Sequence, residues 1–239
     1  MEVMMVDDGA LQGRLQFDAE RVRRFTSAEP RVISIHHLLA PERLRVEGFL
    51  EAAYDRAFRG RIRNHYPTLM SVQDRRGTIL AAVGFRFAGL GPLFLEQYLD
   101  EPVEVAVARR LEVCADRGAV AEIGNLASHS PGASLFLFLA LARHLDQRGC
   151  TYAVATATRQ LRRSFARVGF ATQLLTRAEP TRLPGTAADW GAYYSRDPEV
   201  LAGAIAPALP ALSQMLTADP IAEADVVPRL HPACRARVS

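Results

Sequence analysis

The chain of 239 residues is 49% hydrophobic and 23% charged, and its formal charge of +3 is small for that length. Such a composition belongs to a globular protein of one large domain, and scattered arginines call neither for wrapping nucleic acid nor for steering to a membrane surface. Cys114, Cys150 and Cys234 form no metal-ligand spacing and no disulfide framework, the acidic N-terminus lacks a secretory n-region, and no apolar run reaches the about 18 residues of a membrane span, so a reduced, cytoplasmic setting without stable membrane insertion is expected.

Residues 1–30 are polar and poorly periodic and read as an N-terminal extension. Arg31 to His36 alternates and is β-branched, which predicts a strand; Pro41 then opens a helix with Val46, Leu50, Ala53 and Ala57 on one stripe, ending before Pro67. Leu69 to Gln73 and Thr78 to Phe87 are two strands joined by the turn Asp74-Arg75-Arg76-Gly77, an antiparallel hairpin. A short helix over Leu93 to Leu99 and another from Pro102 to Arg110 follow. Val120 to Ala127 is the next strand, and Gly132 to Gln147 a helix closed by Gly149. Tyr152 to Ala157 is apolar enough for a sheet centre, Gln160 to Val168 is helical, and Phe170 to Leu175 is a last strand. The Ala- and Pro-rich segment 201–239 reads as a tail behind a domain spanning 31–200. No Gly-x-Gly-x-x-Gly follows a strand and no Gly-Lys-Ser/Thr occurs, which removes the two commonest nucleotide-binding patterns.

The chemistry concentrates in Glu122-Ile123-Gly124-Asn125-Leu126-Ala127-Ser128-His129-Ser130-Pro131-Gly132-Ala133-Ser134, where a strand runs through a small-residue turn into a helix. Main-chain N–H groups and the positive end of the helix dipole collect at such a turn, which makes it either an anion site or an ordinary N-cap served by Ser128 or Ser130. Glu122 and Asn125 are costly inside an apolar strand unless paired or used, and a desolvated carboxylate with a raised pKa can take the proton of an ammonium near neutral pH; a structural hydrogen bond is the alternative. Glu96 lies among Leu93, Phe94, Leu95 and Tyr98, a second carboxylate for an acceptor amine or a solvated helix face shared with Asp100. The histidines show no His-x-x-x-His spacing, so no metal is expected, and no Gly-x-Ser-x-Gly elbow accompanies Ser128 or Ser130. Arg162, Arg163 and Arg167 read as a solvated face or a phosphate clamp.

Leu93-Phe-Leu-Glu-Gln-Tyr-Leu-Asp100, Glu122-Ile-Gly-Asn-Leu-Ala-Ser128 and Trp190-Gly-Ala-Tyr-Tyr194 resemble the signatures of the thermostable hemolysin family over roughly residues 60–200. That family is similar in fold to GNAT acyltransferases and acyl-homoserine-lactone synthases. The resemblance implies an α/β (α+β) domain with a mixed, mostly antiparallel central sheet, splayed to admit a pantetheine arm and flanked by helices on both faces. It further implies an N-acyltransferase that moves a fatty acyl group from acyl-CoA, or from an acyl carrier protein, to the amine of an amino acid or similar small acceptor. Glu122 is then the base, Glu96 an acceptor contact, and Asn125 to Ser130, Gly132 to Ser134 and Thr156 the donor site. Phe165 stands where many GNAT members place a tyrosine acid, which leaves the general acid unassigned. A homodimer is compatible with this reading. The rivals are a non-catalytic acyl- or pantetheine-binding module and a membrane-active hemolysin; the latter lacks any apolar segment able to insert.

Overall fold

Alternating and β-branched segments become strands, and the helices between them are long enough to cross from one strand to the next. In the computed structural model, which describes residues 1–183 and 187–216, the strands are β1 (Glu2–Asp7), β2 (Ala10–Gln16), β3 (Val32–His36), β4 (Thr68–Gln73), β5 (Ile79–Phe87), β6 (Val120–Ser128), β7 (Tyr152–Ala157), β8 (Gln173–Arg177) and β9 (Glu199–Ala204). They form one sheet in the order β2-β1-β3-β4-β5-β6-β7-β9-β8. β1 with β3 and β6 with β7 run parallel, and every other neighbouring pair is antiparallel, so the sheet is mixed and mostly antiparallel.

The helices are α1 (Ala19–Arg23), α2 (Arg43–Phe58), α3 (Val103–Leu111), α4 (Ala133–Gln147), α5 (Arg159–Arg167) and α6 (Ala208–Leu216). Strand alternation divides the core between two faces. Met70, Val72, Val83 and Phe85 meet Phe136 and Leu137 of α4, whereas Leu69 and Ala82 meet Val46 and Leu50 of α2 on the opposite side. Leu137, Leu139 and Leu141 of α4 are each no more than 2% exposed, a spacing that one helix face cannot supply. The outer side of α4 is therefore covered too, by Ala208 and Leu212 of α6, as a helix that is apolar all round requires. Each such leucine contributes about 1.5–3 kcal/mol of burial.

The structure differs from the sequence expectation at both ends. Residues 2–16 are not an extension but two strands at one side of the sheet, β1 and the edge strand β2. The division at residue 201 falls inside β9, which inserts between β7 and β8. The strand expected from Phe170 begins instead at Gln173. Of the expected tail, residues 217–239 lie outside the described residues.

The parallel pair β6 and β7 is where the sheet opens. Ladder partners run from Val120↔Tyr152 to Ile123↔Ala155 and then stop, although β6 continues to Ser128 and β7 to Ala157. Just past the last partner, Asn125 has φ +50°, and the β5–β6 register shifts between Ala82 and Gly84. A bulge of this kind bends its strand, and here it takes β6 away from β7.

Candidate active site

Two cavities lie along the opening. One, of about 480 Å³, is bounded by the β6 residues beyond Ile123, the turn into α4, and Leu161 and Phe165 of α5. The other, of about 280 Å³, is walled by Tyr66, Arg86, Phe94, Tyr98 and Trp190. Six residues border both: Tyr54, Ile123, Gly124, Asn125, Thr156 and Tyr193. The two spaces therefore meet where the strands separate. At that junction Asn125 Nδ2 and Thr156 Oγ1 are buried with no hydrogen-bond partner. Buried polar atoms are nearly always paired, and a non-glycine residue in the left-handed region is strained, so their coincidence at Asn125 makes this junction the candidate ligand site. Tyr193 reinforces the junction by donating from its hydroxyl to the Thr156 carbonyl at 3.2 Å.

Glu122 sits beneath this junction and is 1% exposed. One carboxylate oxygen accepts from the N–H of Phe94 at 2.8 Å and the other from that of Leu95 at 3.0 Å. Arg86 Nε lies 3.5 Å away, an ion pair rather than a hydrogen bond, and the Tyr66 hydroxyl interacts with the carboxylate electrostatically. Burial pushes the Glu122 pKa above the ordinary carboxylate value; the two amides, Arg86 and Tyr66 oppose that shift without cancelling it. Burial likewise raises Tyr66 well above an ordinary phenol, with the Glu122 charge adding to the effect. Glu122 lines neither cavity, whereas Tyr66 does.

The turn expected to bind an anion is partly committed to the fold. The His129 N–H donates to the Leu80 carbonyl at 2.8 Å, Ala133 N–H to Ser130 at 3.1 Å, and Ser128 Oγ to the Ser130 carbonyl at 2.8 Å. The N–H groups of Ser130, Gly132 and Ser134 make no hydrogen bond to another described residue and border the larger cavity. Leu126, Ala127, Ser128 and His129 border it as well, but Ala133 is fully buried and faces the core. Gly132 has φ +77°, and a Cβ there would lie 2.6 Å from Thr26 Cβ and 2.7 Å from the Phe25 carbonyl oxygen. Only glycine lets the turn rest on this N-terminal segment, which Thr26 ties down by donating to the Pro131 carbonyl at 2.5 Å.

Glu96 is not brought to the cavities. Its carboxylate accepts from Arg117 at 2.6 and 2.9 Å and from the N–H groups of Leu93 and Val103, and the guanidinium holds its pKa down at about 2. It braces the loop whose Phe94 and Leu95 amides hold Glu122. Phe165 is 3% exposed and packs on Phe138 with ring centres 5.6 Å apart, so no acid stands at that position. Trp190 and Tyr193 enter the site because Gly191 passes so close to the end of α2 that a Cβ would lie 2.1 Å from the Phe58 carbonyl oxygen. Arg162 of the basic group on α5 is paired with Glu199 at 2.8 Å. Among the described residues Asp7, Asp8 and His37 alone form a grouping of metal-ligand type; His37 Nε2 lies 3.1 Å from Asp7 Oδ1, and the His37 main-chain N–H donates to Asp8 at 3.0 Å. Sequence reasoning missed Tyr66, Arg86 and Tyr193. The only local signal for Tyr66 is a large aromatic residue just before a buried strand.

Among solved structures, the chain is similar to TofI in an apo form (15% identity, TM-score 0.52, covering 76% of this chain and 95% of that one). It is also similar to the AHL synthase LasI (13% identity, TM-score 0.52, covering 78% and 96%). A third is BjaI, a CoA-dependent acyl-homoserine lactone synthase solved with SAM and isopentyl-CoA (14% identity, TM-score 0.52, covering 76% and 87%). At such identities the likeness is one of fold, and the fold is GNAT-like. No curated protein matches the sequence. No helix among the described residues is long and apolar enough to cross a membrane. The profile of the thermostable hemolysin family matches residues 36–209, from the end of β3 to the start of α6, and so takes in both cavities and the opening between them: the chain belongs to that family.

Proposed function

We propose that this protein is an N-acyltransferase that moves an acyl group from a thioester to the amine of a small acceptor. The observation that carries the reading is the junction of two cavities at a strand opening, with two unpartnered polar side chains, Asn125 and Thr156, above a buried carboxylate. The larger cavity would take the donor, acyl-CoA or an acyl carrier protein's thioester, with its phosphates at the amides of Ser130, Gly132 and Ser134. The arm would follow the unpaired edge of β6, leaving the thioester carbonyl beside Asn125 Nδ2, a donor suited to the oxyanion that develops on attack. The aromatic cavity would take the acceptor, with an amino acid as the preferred class, and Glu122 would receive the ammonium proton. Apolar surfaces on α4, α5 and α6 beside the opening favour a fatty acyl chain, and the GNAT-like neighbours, which include a synthase solved with isopentyl-CoA, support the donor class. The cytoplasm, where acyl thioesters are made, is the proposed location.

One observation favours a second reading, a non-catalytic thioester-binding module: both Glu122 oxygens already accept main-chain hydrogen bonds. Thiol release and product mass spectrometry over a panel of acyl-CoAs, acylated carrier protein and amines separate the two. Amine-dependent release with a matching acylated product supports the transferase, and thioester binding without release supports the module. The lysis implied by the family name is accounted for by an amphiphilic acylated amine; purified protein lysing red cells with no acyl donor would oppose this account.

A further inference from the structure

Tyr66 is held in place more firmly than a wall residue needs. Its own main chain and the next residue's are anchored by Arg43, itself 4% exposed, which donates to the carbonyl of Tyr66 at 2.6 Å and to that of Pro67 at 2.9 Å. Its ring lies across two glycines that face each other in the sheet, Gly84 of β5 and Gly124 of β6. A Cβ at Gly84 would fall 2.7 Å from Tyr66 Cβ, and one at Gly124 would fall 2.2 Å from the Tyr66 hydroxyl. The ring also carries the Arg86 guanidinium, 4.7 Å from its centre. These contacts place the hydroxyl over Gly124, one of the residues shared by both cavities, and strand alternation puts Glu122, two positions back on β6, on the same face as Gly124.

Resting on the acyl-transfer reading above, we infer that Tyr66 is the group that touches the acceptor amine, passing its proton to Glu122, which lines neither of the two cavities. The balance is simple. The ammonium N–H bond breaks and its proton moves to the Tyr66 oxygen as the Tyr66 O–H proton moves to the Glu122 carboxylate, leaving Tyr66 unchanged and Glu122 neutral. The freed amine lone pair forms the C–N bond to the thioester carbon. The C–S bond then breaks, and the second nitrogen proton leaves with the sulfur as the thiol. Glu122 returns its proton to solvent after product release. Tyr66 suits a relay because a buried phenol resists holding the charge itself.

The test is thiol release from octanoyl-CoA with two probe acceptors, a primary alkylamine that is protonated at neutral pH and hydroxylamine, which is not. Tyr66→Phe keeps the ring on both glycines and under Arg86, and should lower alkylamine turnover at least about a hundredfold, the usual scale of lost proton transfer, while hydroxylamine turnover falls less than about tenfold. Raising the pH, which supplies free alkylamine, should restore part of the variant's rate. Gly124→Ala, which moves the hydroxyl and leaves Tyr66 and Glu122 in the chain, should show the same selectivity. Equal losses with both acceptors, or alkylamine turnover unchanged, overturn the relay and leave acyl transfer standing. Wild-type protein that releases no thiol with any acceptor overturns acyl transfer and the relay together.

Discussion

Replacing Glu96 with glutamine separates an architectural carboxylate from an acceptor-binding one. Glu96 accepts four hydrogen bonds: from Leu93 N at 2.8 Å, Val103 N at 3.1 Å, Arg117 Nη1 at 2.6 Å and Arg117 Nη2 at 2.9 Å. Glutamine keeps one acceptor oxygen and sets an NH2 donor where the other stood, so donors face a donor on one side of the group. A lost bond to a charged group is worth about 1.5–3 kcal/mol. The side chains of Arg117 and Glu96 are 32% and 19% exposed, and water compensates part of the loss. The expected destabilisation is about 2–3 kcal/mol at neutral pH, or roughly 4–12 °C in melting temperature for a protein of this size. The sign with pH is fixed by the depressed pKa, about 2 in the folded protein against 4.5 ordinarily. Stabilisation of this kind is present above the unfolded value and lost as pH falls through the folded one, so the gap between wild type and Glu96→Gln should narrow from pH 4.5 toward 2. Thermal unfolding by circular dichroism at a series of pH values measures it. An unchanged melting temperature together with a raised acceptor KM would refute the architectural role and put Glu96 against the acceptor.

Other outcomes follow from the site. Glu122 has the opposite sign: its raised pKa lends stability that is fully present below the unfolded value of 4.5 and is lost as pH rises through the folded one, so the stability of Glu122→Gln relative to wild type should improve as pH increases from 4.5, read by urea unfolding. Asn125→Gly relieves the φ of +50° and removes the unpartnered amide, so it should unfold no more easily than wild type, gaining up to about 1 kcal/mol, while thiol release slows at least tenfold. Gly132→Ala drives a Cβ into Thr26 and should weaken donor binding in calorimetry more than it lowers the rate at saturating donor. Leu137→Ala, at a fully buried core position, should cost about 2–5 kcal/mol without altering acceptor preference.

The interior of the sheet and the helices that cover it were legible in the local residue pattern. Leu69 to Gln73, the 78–87 segment and Tyr152 to Ala157 alternate or run apolar because both faces of those strands are buried, and the pattern is strong enough to read locally. Glu122 and Asn125 stood out for the same reason, as polar groups in an apolar strand. The strands β1, β2 and β9 gave no such signal. β2 is largely exposed and β1 mostly half-buried, and β9, Glu-Val-Leu-Ala-Gly-Ala, is built of residues with weak strand preference that become a strand because β7 and β8 pair with it from either side. The surroundings of each carboxylate, by contrast, are set by packing. Glu96 found Arg117, and Glu122 found the Phe94 and Leu95 amides, Arg86 and Tyr66, partners supplied by chain segments far apart in sequence. Propensity and periodicity are set by near neighbours along the chain, whereas desolvation and hydrogen bonding are set by whatever packing brings close, and that difference hides a proton path from the sequence while leaving its buried end in view.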